Sequence, residues 1–255
     1  MRKVLACTAL FLALMAGCHD STLTNSTFVG QDTDSLFFHT EDEIEQAFSS
    51  SFALGNMDTL VRLEKRLQAF DGPLAAYWRG YIAYLQGIYL FTENKRDSSS
   101  LYIEQGIEVL KSQELSSESS ALLGMLYNFS VQFSSNVMIP VISHKADSYF
   151  QQSLALDSNN LRCYLGMANK DYYTPEKFGG KKNVNDLLQK ALTKPDRLDE
   201  DARLPSWGRE QAYELLIRHN FESGKVAAAK TYYKEAVELF PMNYQLIRLS
   251  SLFLE

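Results

Sequence analysis

Apolar side chains recur every three or four residues along most of the chain, and this spacing predicts amphipathic helices. The first stripe lies between a helix-start signal, Thr40 with Glu43, and the turn signal Gly55-Asn56. Its members are Ile44, Ala47, Phe48 and Phe52. No segment shows the strict alternation of apolar and polar residues that predicts a strand, so the pattern indicates an all-α protein.

Turn signals divide these helices into successive hairpins. Polar residues, glycines and prolines separate the stripes, and we expect Pro140 to stop the first helix of the third pair. The predicted pairs are 40–55 with 57–70, 73–81 with 101–110, 122–137 with 146–156, two helices within 161–192, and two within 210–243. A polar loop around 94–100, an enlarged turn at 172–180 and a connector at 194–206 join them, and 244–254 forms a terminal helix.

The last pair, 210–243, has the most regular texture. Two small residues on its second helix allow close helix approach, and a tyrosine between them fills the remaining space. The pattern consists of Tyr213, Leu216, Gly224, Ala229, Tyr233, Ala236 and Pro241. This spacing of about 34 residues resembles the tetratricopeptide (TPR) repeat, whose hairpins bury their apolar faces by stacking on neighbours. The resemblance implies a right-handed α-α superhelix, a solenoid of about five hairpins.

The chain start resembles the signal peptide of a bacterial lipoprotein. Two basic residues, Arg2 and Lys3, precede an apolar run that is shorter than the ~20 residues of a membrane-spanning helix. Ala16-Gly17-Cys18 ends the run like a lipobox, in which the cysteine is acylated and becomes the new N-terminus. An ordinary secretory signal with an incidental cysteine is the alternative. We expect a lipoprotein signal peptide at 1–17, lipid attachment at Cys18, a flexible tether at 18–37 and a TPR-like helical domain at 38–255.

Composition and charge narrow the function classes. The net charge of −6 gives no basic surface for nucleic acid. Of the three cysteines, Cys7 lies in the signal and Cys18 would carry lipid, so Cys163 alone remains and no internal disulfide is expected. The 14 Tyr and 15 Phe suit wedges between stacked helices, so their number alone does not indicate a ligand site.

A second resemblance covers about half of the chain, from 122 to 241. The elements Tyr-Tyr-Thr-Pro-Glu-Lys-Phe-Gly-Gly at 172–180 and Ser-Trp-Gly-Arg-Glu-Gln-Ala-Tyr at 206–213 are shared with a group of bacterial lipoproteins with divergent TPRs. The lipid-anchored T components of TRAP-type solute transporters have a similar layout. Lys181 and Val184 depart from the usual acidic cap and alanine of the first element. The resemblance implies a helical, membrane-tethered interaction protein, and it supplies no ligand.

The sequence carries no motif for catalysis or metal binding. Gly179-Gly180-Lys181-Lys182 lacks the first glycine and the Ser or Thr of a phosphate-binding loop. There is no Gly-x-Ser-x-Gly or His-Glu-x-x-His motif, and the four histidines are widely separated. Cys163 lies among apolar neighbours, where a core role is expected rather than a nucleophile. We therefore expect no enzymatic activity, no metal site and no cofactor.

Aromatic residues supply the candidate partner contacts, which are Tyr172, Tyr173, Phe178 and Trp207. The first three lie in the enlarged turn, where their rings either plug the turn or present a contact surface. Trp207, between Pro205 and Gly208, either staples the connector to the helices or stands exposed as an anchor for a partner. Trp78 is expected in the core, between two hairpins.

Two functions of different class remain open. The first is a non-catalytic scaffold for protein–protein interaction, anchored in the cell envelope by its lipid, whose solenoid surface binds a protein or peptide. The second, implied by the T components, is an accessory that handles a ligand during solute uptake. His19 follows Cys18, where the lipoprotein resemblance associates aspartate with retention in the inner membrane. We therefore expect the outer membrane, with the domain facing the periplasm.

Overall fold

Packing of amphipathic helices builds the whole described part of the protein. A computed structural model describes residues 37–195 and 201–253. In these ranges the chain forms eleven α-helices, three short 3₁₀ segments and no strand. The helices are α1 (Thr40–Leu54), α2 (Asp58–Leu67), α3 (Pro73–Thr92), α4 (Arg96–Lys111), α5 (Ser117–Ser130), α6 (Ile139–Leu156), α7 (Leu161–Tyr173), α8 (Val184–Leu192), α9 (Arg209–Glu222), α10 (Val226–Leu239) and α11 (Tyr244–Arg248). The 3₁₀ segments are Val131–Phe133, Glu176–Phe178 and Leu249–Phe253.

Each helix packs against its sequence neighbour, and the first helices of successive pairs pack against one another. The pairs are α1 with α2, α3 with α4, α5 with α6, α7 with α8, and α9 with α10. Contacts between α1, α3, α5, α7 and α9 join the pairs into a stack. The predicted all-α helical-repeat solenoid of five hairpins is therefore confirmed for the described residues. The expectations for the signal peptide, Cys18 and most of the tether lie outside the described residues.

Close helix packing in the middle of the stack depends on one ring between two glycines. Phe150 on α6 is fully buried and lies against both Gly124 on α5 and Gly166 on α7. A Cβ atom at Gly124 would lie 2.5 Å from Phe150 Cε1, and one at Gly166 would lie 2.6 Å from the same atom. The missing side chains thus make room for the ring, which holds three helices together.

The final hairpin forms its own small core. Ala229 and Ala236 are fully buried, as the repeat pattern predicts. Phe253 turns back onto this hairpin, with its ring centroid 5.8 Å from that of Phe221 and 5.3 Å from that of Tyr233. The end of the described chain is therefore packed onto the last repeat.

Three local predictions were wrong. Pro140 does not stop a helix: α5 ends at Ser130, and Pro140 lies in the first turn of α6, where its missing N–H costs no hydrogen bond. Helix α4 begins at Arg96 rather than 101, because the Ser99 hydroxyl donates to the Gly87 carbonyl (2.6 Å) and is buried between the paired helices.

The third concerns helix capping. His39, not Thr40, is the N-cap of α1, so the expected capping box does not form, and Glu43 forms an ion pair with Arg66 of α2 instead. A capping box that the sequence analysis missed opens α5. There the Ser116 side chain accepts from the Ser119 backbone amide at 3.1 Å, and the Ser119 hydroxyl accepts from the Ser116 amide at 2.7 Å.

Gly124→Ala tests whether the Phe150 ring needs the space that the two glycines leave. The added methyl group must overpack Phe150, which Gly166 holds from the other side, and this outweighs the gain of about 1 kcal/mol in helix propensity. We expect a net loss of about 1 to 2 kcal/mol in the free energy of unfolding by urea denaturation. In the background of Phe150→Leu, the same Gly124→Ala change should lower the free energy of unfolding less, or raise it. An equal loss in both backgrounds would contradict the role of the Phe150 ring between the two glycines.

Candidate functional site

The connector before α9 crosses the helix stack and ties its two ends together. The Trp78 indole N–H donates to the Arg203 carbonyl at 3.1 Å. The backbone amide and hydroxyl of Ser206 donate to the Glu41 carboxylate at 2.7 and 2.6 Å. Glu41 lies in the first turn of α1, so these bonds connect segments that are 165 residues apart in the chain. The space between the first helices is therefore occupied by the protein's own connector.

Trp207 is the centre of this arrangement. Its ring is stacked on Tyr81 of α3, with centroids 4.5 Å apart and planes 14° from parallel, and its N–H donates to the Tyr77 hydroxyl at 3.0 Å. Only 5% of the residue is exposed. Of the two interpretations of Trp207, this geometry fits the staple, and a surface anchor would require an exposed ring. Trp78, expected in the core, is fully buried.

A buried ion pair fixes the connector from the opposite side. Arg162 on α7 donates through Nε and Nη2 to the Glu118 carboxylate on α5, at 2.6 and 2.7 Å. Its Nη1 donates to the Trp207 carbonyl at 2.7 Å. The Glu118 carboxylate raises the pKa of Arg162 even though burial opposes the charged form. Removing one partner of such a pair leaves an uncompensated buried charge, which typically costs about 3 to 5 kcal/mol.

Two carboxyl groups of α1 face this interior with different partners. Burial raises the pKa of Glu41, and the two hydrogen bonds from Ser206 work against that rise. Burial also raises the pKa of Glu45, to about 8, and the nearby carboxylates of Glu41, Glu210 and Asp42 raise it further. Glu45 Oε1 is buried without a hydrogen-bond partner among the described residues, and so is Gln211 Oε1. Glu45 is therefore protonated near neutral pH.

The enlarged turn separates the remaining candidate contacts. Tyr172 is held against α9. Its hydroxyl donates to the Glu222 carboxylate at 2.7 Å, and its ring centroid lies 6.0 Å from that of His219. Tyr173 and Phe178 are each 72% exposed. The structure thus leaves Tyr173 and Phe178 at the surface, and it does not bring them together with Trp207.

Glycines shape this turn, as the sequence indicates. Gly179 has a φ of +91°, and a Cβ atom at Gly180 would lie 1.9 Å from the Thr174 carbonyl oxygen. Lys181 also adopts a positive φ, of +63°, which the sequence did not signal. Its amide donates to the Asp171 carbonyl at 2.8 Å and closes the turn.

A second aromatic group, which the sequence analysis did not single out as a candidate site, is half-buried between α3 and α5. This aromatic cluster consists of Tyr84, Phe91, Phe129 and Phe133. Its ring centroids lie 5.5 to 6.0 Å apart in mostly edge-to-face contacts. Phe129 lies in the last turn of α5, which ends at Ser130, and Phe133 lies in the 3₁₀ segment that follows. The local signal was the pair of Phe residues beside the end of α5.

One cation lies on the aromatic cluster. The Arg96 guanidinium carbon is 5.2 Å from the Phe91 centroid and 5.7 Å from the Phe133 centroid, and Arg96 also donates to the Gln132 carbonyl. Planar guanidinium groups bind carboxylates through paired hydrogen bonds. The surface can therefore accept a flat apolar body together with an acidic group.

A shallow cavity of about 390 Å³ lies beside α5 and α6. Tyr127 and Tyr149 stack at its wall, with centroids 5.4 Å apart, and the Lys145 ammonium lies 5.6 Å from the Tyr127 centroid. Lys111 also lines the cavity. The cavity is open and lined by long side chains.

Burial surrounds two of the reactive side chains, Cys163 and His219. Cys163 is buried with its thiol donating to the Phe150 carbonyl at 3.3 Å, and burial raises its pKa to about 12. Burial lowers the pKa of His219. Within 37–195 and 201–253, no three His, Cys, Asp or Glu side chains group in a way that would hold a metal ion. Over the same ranges, every helix is too short or too polar to cross a bilayer.

Comparison with known proteins identifies a similarity of fold to a solved structure. No protein-family model matches the chain, and no curated protein matches it by sequence. The solved structure of the HusA haemophore from Porphyromonas gingivalis is similar, with a TM-score of 0.56 and 18% sequence identity. The match covers 77% of this chain and 96% of the haemophore. At this identity the similarity shows a shared helical fold, while the TPR lipoprotein and T-component resemblances stay predictions from sequence.

The raised pKa of Glu45 predicts that folding stability depends on pH. The folded protein retains the Glu45 proton up to about pH 8, whereas the unfolded chain loses it near the usual pKa of 4.5, so folding stability falls as the pH rises between these values. Glu45→Gln removes the ionisable group, and we expect it to raise the free energy of unfolding by about 1 to 3 kcal/mol at pH 8 and to have little effect at pH 4.5.

The control for this measurement is Glu238→Gln, because Glu238 is an exposed carboxylate on α10. It should change stability by a similarly small amount at both pH values. A gain from Glu45→Gln that is equally large at low and high pH would mean that the effect does not come from ionisation.

Proposed function

We propose that this chain is a non-catalytic binding protein, tethered to the bacterial cell envelope through Cys18, that carries a flat apolar ligand on its aromatic cluster. The observation that carries this proposal is the group of four half-buried rings between α3 and α5 with the Arg96 guanidinium over two of them. It is the ligand-handling function, one of the two left open by the sequence, in a form that uses the surface of the stack.

Ring geometry supports a flat ligand. Each ring of the aromatic cluster keeps a minor part of its surface exposed, and a flat aromatic ligand would gain stacking and edge contacts there. Arg96 supplies charge at the margin of the cluster, where a carboxylate of the ligand would pair with it. The haemophore relative supports the same class, because haem combines a planar apolar macrocycle with carboxylates. Haem is thus the first ligand to test.

Packing within the stack directs this proposal to the surface. An enclosed aromatic channel would require open space between the first helices, yet Trp207, Tyr77 and Tyr81 fill that level and bond to one another there. An extended peptide along the same inner face would have to displace the connector and its bonds to Glu41 and Arg162. A ligand bound at the half-buried aromatic cluster would leave the connector and its hydrogen bonds in place.

Tethering follows from the chain start. Acylation of Cys18 would hold the protein on a membrane, since each buried methylene contributes about 0.8 kcal/mol. His19 at the next position favours the outer membrane in the lipoprotein resemblance. Retention at the envelope would keep a captured ligand near the membrane that it has to cross.

The second candidate is the protein–protein scaffold. Exposed apolar side chains at the end of the last hairpin favour it: Met242 is 90% exposed, and Leu239, Tyr244 and Ile247 beside it are also exposed. Solenoids usually carry a polar cap at such an end. Crosslinking in cells to a defined protein partner, combined with no ligand binding by the purified protein, would favour the scaffold over the carrier.

Ligand binding by the aromatic cluster is tested by titrating the purified protein with haem and with protoporphyrin, followed by absorbance and fluorescence. Replacing Phe129 and Phe133 by Ala removes two rings of the cluster, and stacking losses of about 1 kcal/mol or more per ring predict at least tenfold weaker binding. Arg96→Met should weaken binding of protoporphyrin more than binding of its dimethyl ester, because only the free acid can pair with the guanidinium.

Phe178→Ala is the matched control, since Phe178 is an exposed ring outside the cluster. It should leave the affinity unchanged. The carrier function is overturned if the unaltered protein binds neither porphyrin, or if Phe178→Ala weakens binding as much as the cluster variant does.

Tethering has its own test. Cys18→Ala should abolish incorporation of labelled fatty acid and move the protein from the membrane fraction to the soluble fraction. Metabolic labelling and cell fractionation measure these two changes. Retained acylation in the variant would overturn the anchor while leaving the ligand site untouched.

A further inference from the structure

Five consecutive apolar residues lie in the turn before α6 and in the first turn of that helix, and all but Ile139 are exposed. This apolar turn consists of Val137, Met138, Ile139, Pro140 and Val141. Val137 is 84% exposed, and Met138 and Val141 are each nearly half-exposed. Single exposed apolar residues are ordinary on protein surfaces, whereas a continuous exposed run is unfavourable in water unless something covers it.

Hydrogen bonds hold the apolar turn in this exposed position. The Met138 amide donates to the Ser135 carbonyl at 2.9 Å, and the Ile139 amide donates to the same oxygen at 3.3 Å. Arg96 donates to the Gln132 carbonyl just before the turn. The apolar side chains therefore project from a formed β-turn and the first turn of α6, rather than from a segment without backbone bonds.

The charge around the apolar turn is one-sided. The chain contains 31 acidic residues, yet none lies between Ser119 and Ala146. Lys145 lies one helical turn after Val141 on α6, and its ammonium lies 5.6 Å from the centroid of the Tyr127 ring. The next acidic residue, Asp147, is paired with Lys170 at 2.5 Å. The apolar turn is thus followed by a basic residue in a sequence segment without acidic residues, in a protein whose net charge is negative.

We propose that the apolar turn inserts into the headgroup region of an anionic membrane, with Lys145 contacting the lipid phosphates. An apolar tip that enters the interface and a cation that remains at headgroup level are the two elements of interfacial membrane binding. A protein partner fits less well, because a convex turn of five residues offers far less than the roughly 800 Å² per partner of a stable protein interface.

This second contact has a consequence for a lipid-tethered protein. An acyl anchor alone restrains only the end of a tether, whereas a second contact on α6 fixes which side of the helix stack faces the membrane. Membrane contact at the apolar turn does not depend on ligand binding at the aromatic cluster, and the two are tested separately.

Tryptophan placed in the apolar turn measures the insertion directly. Both natural tryptophans, Trp78 and Trp207, are buried, so a Trp at position 137 reports mainly on that position. The full chain carrying Val137→Trp is mixed with vesicles of phosphatidylglycerol and phosphatidylcholine that contain brominated acyl chains. We expect a blue-shifted emission of the new Trp and strong quenching by the bromine atoms.

The matched control is Val61→Trp, since Val61 is an exposed valine on α2. This variant has the same N-terminal segment as Val137→Trp. It should show neither change, although any effect of the N-terminal segment acts on both variants alike. The proposal is overturned if the two variants are quenched equally, or if Val137→Trp is quenched as strongly on pure phosphatidylcholine vesicles. A change with an envelope protein fraction and none with lipid vesicles would also overturn it.

Charge is tested in the same background with Lys145→Gln. Loss of one basic residue at an anionic surface should weaken vesicle binding of the Val137→Trp protein about fivefold, and added salt should weaken the unaltered protein in the same direction. Lys65→Gln, which removes an exposed lysine from α2, should have no such effect. Equal binding of the Lys145→Gln and Lys65→Gln proteins would contradict the role of Lys145.

Discussion

The buried contact among Arg162, Glu118 and the Trp207 carbonyl is the constraint on which the rest of the structure depends. It joins α5, α7 and the connector through three hydrogen bonds of 2.6 to 2.7 Å in a site without solvent. Hydrogen bonds between charged groups in such a site are strong, and leaving one partner unpaired is costly. The hydrogen bond from Arg162 to the Trp207 carbonyl therefore fixes where the end of the connector lies on the stack. Ser206, just before the last hairpin, is bonded to Glu41 of the first hairpin.

This constraint decides where recognition can take place. Helical-repeat proteins commonly bind partners along their inner face, but here the chain's own Trp207 and its neighbours occupy part of that face. The surfaces that remain include the half-buried aromatic cluster between α3 and α5 and the apolar turn that follows it in the chain. The apolar turn begins in the segment between α5, which ends at Ser130, and α6, which begins at Ile139. The proposed ligand site and the proposed membrane contact are thus neighbours in the chain.

Much of the fold was predictable because its signals are local. The three- and four-residue spacing identified the helices, and small residues such as Ala229 and Ala236 marked the close contact within the last pair, where both are fully buried. The burial of Cys163 and the turn at Gly179-Gly180 were also expected from neighbouring residues. Errors came where two local readings compete: Pro140 can end one helix or begin the next, and only the packing of α6 selects the second.

The candidate site was much less predictable than the fold. Phe129 and Phe133 have the spacing of a helix stripe in the sequence, and that spacing does not indicate that Arg96 comes to lie over the Phe133 ring. By itself the sequence determined that this chain forms paired amphipathic helices, because helix periodicity and turn residues act over a few positions. Only the tertiary structure decided that Arg162 meets Glu118, that Trp207 is enclosed by α3 and that Val137 is left in water. These outcomes depend on residues 44 to 130 positions apart, whose meeting is set by the packing of whole helices.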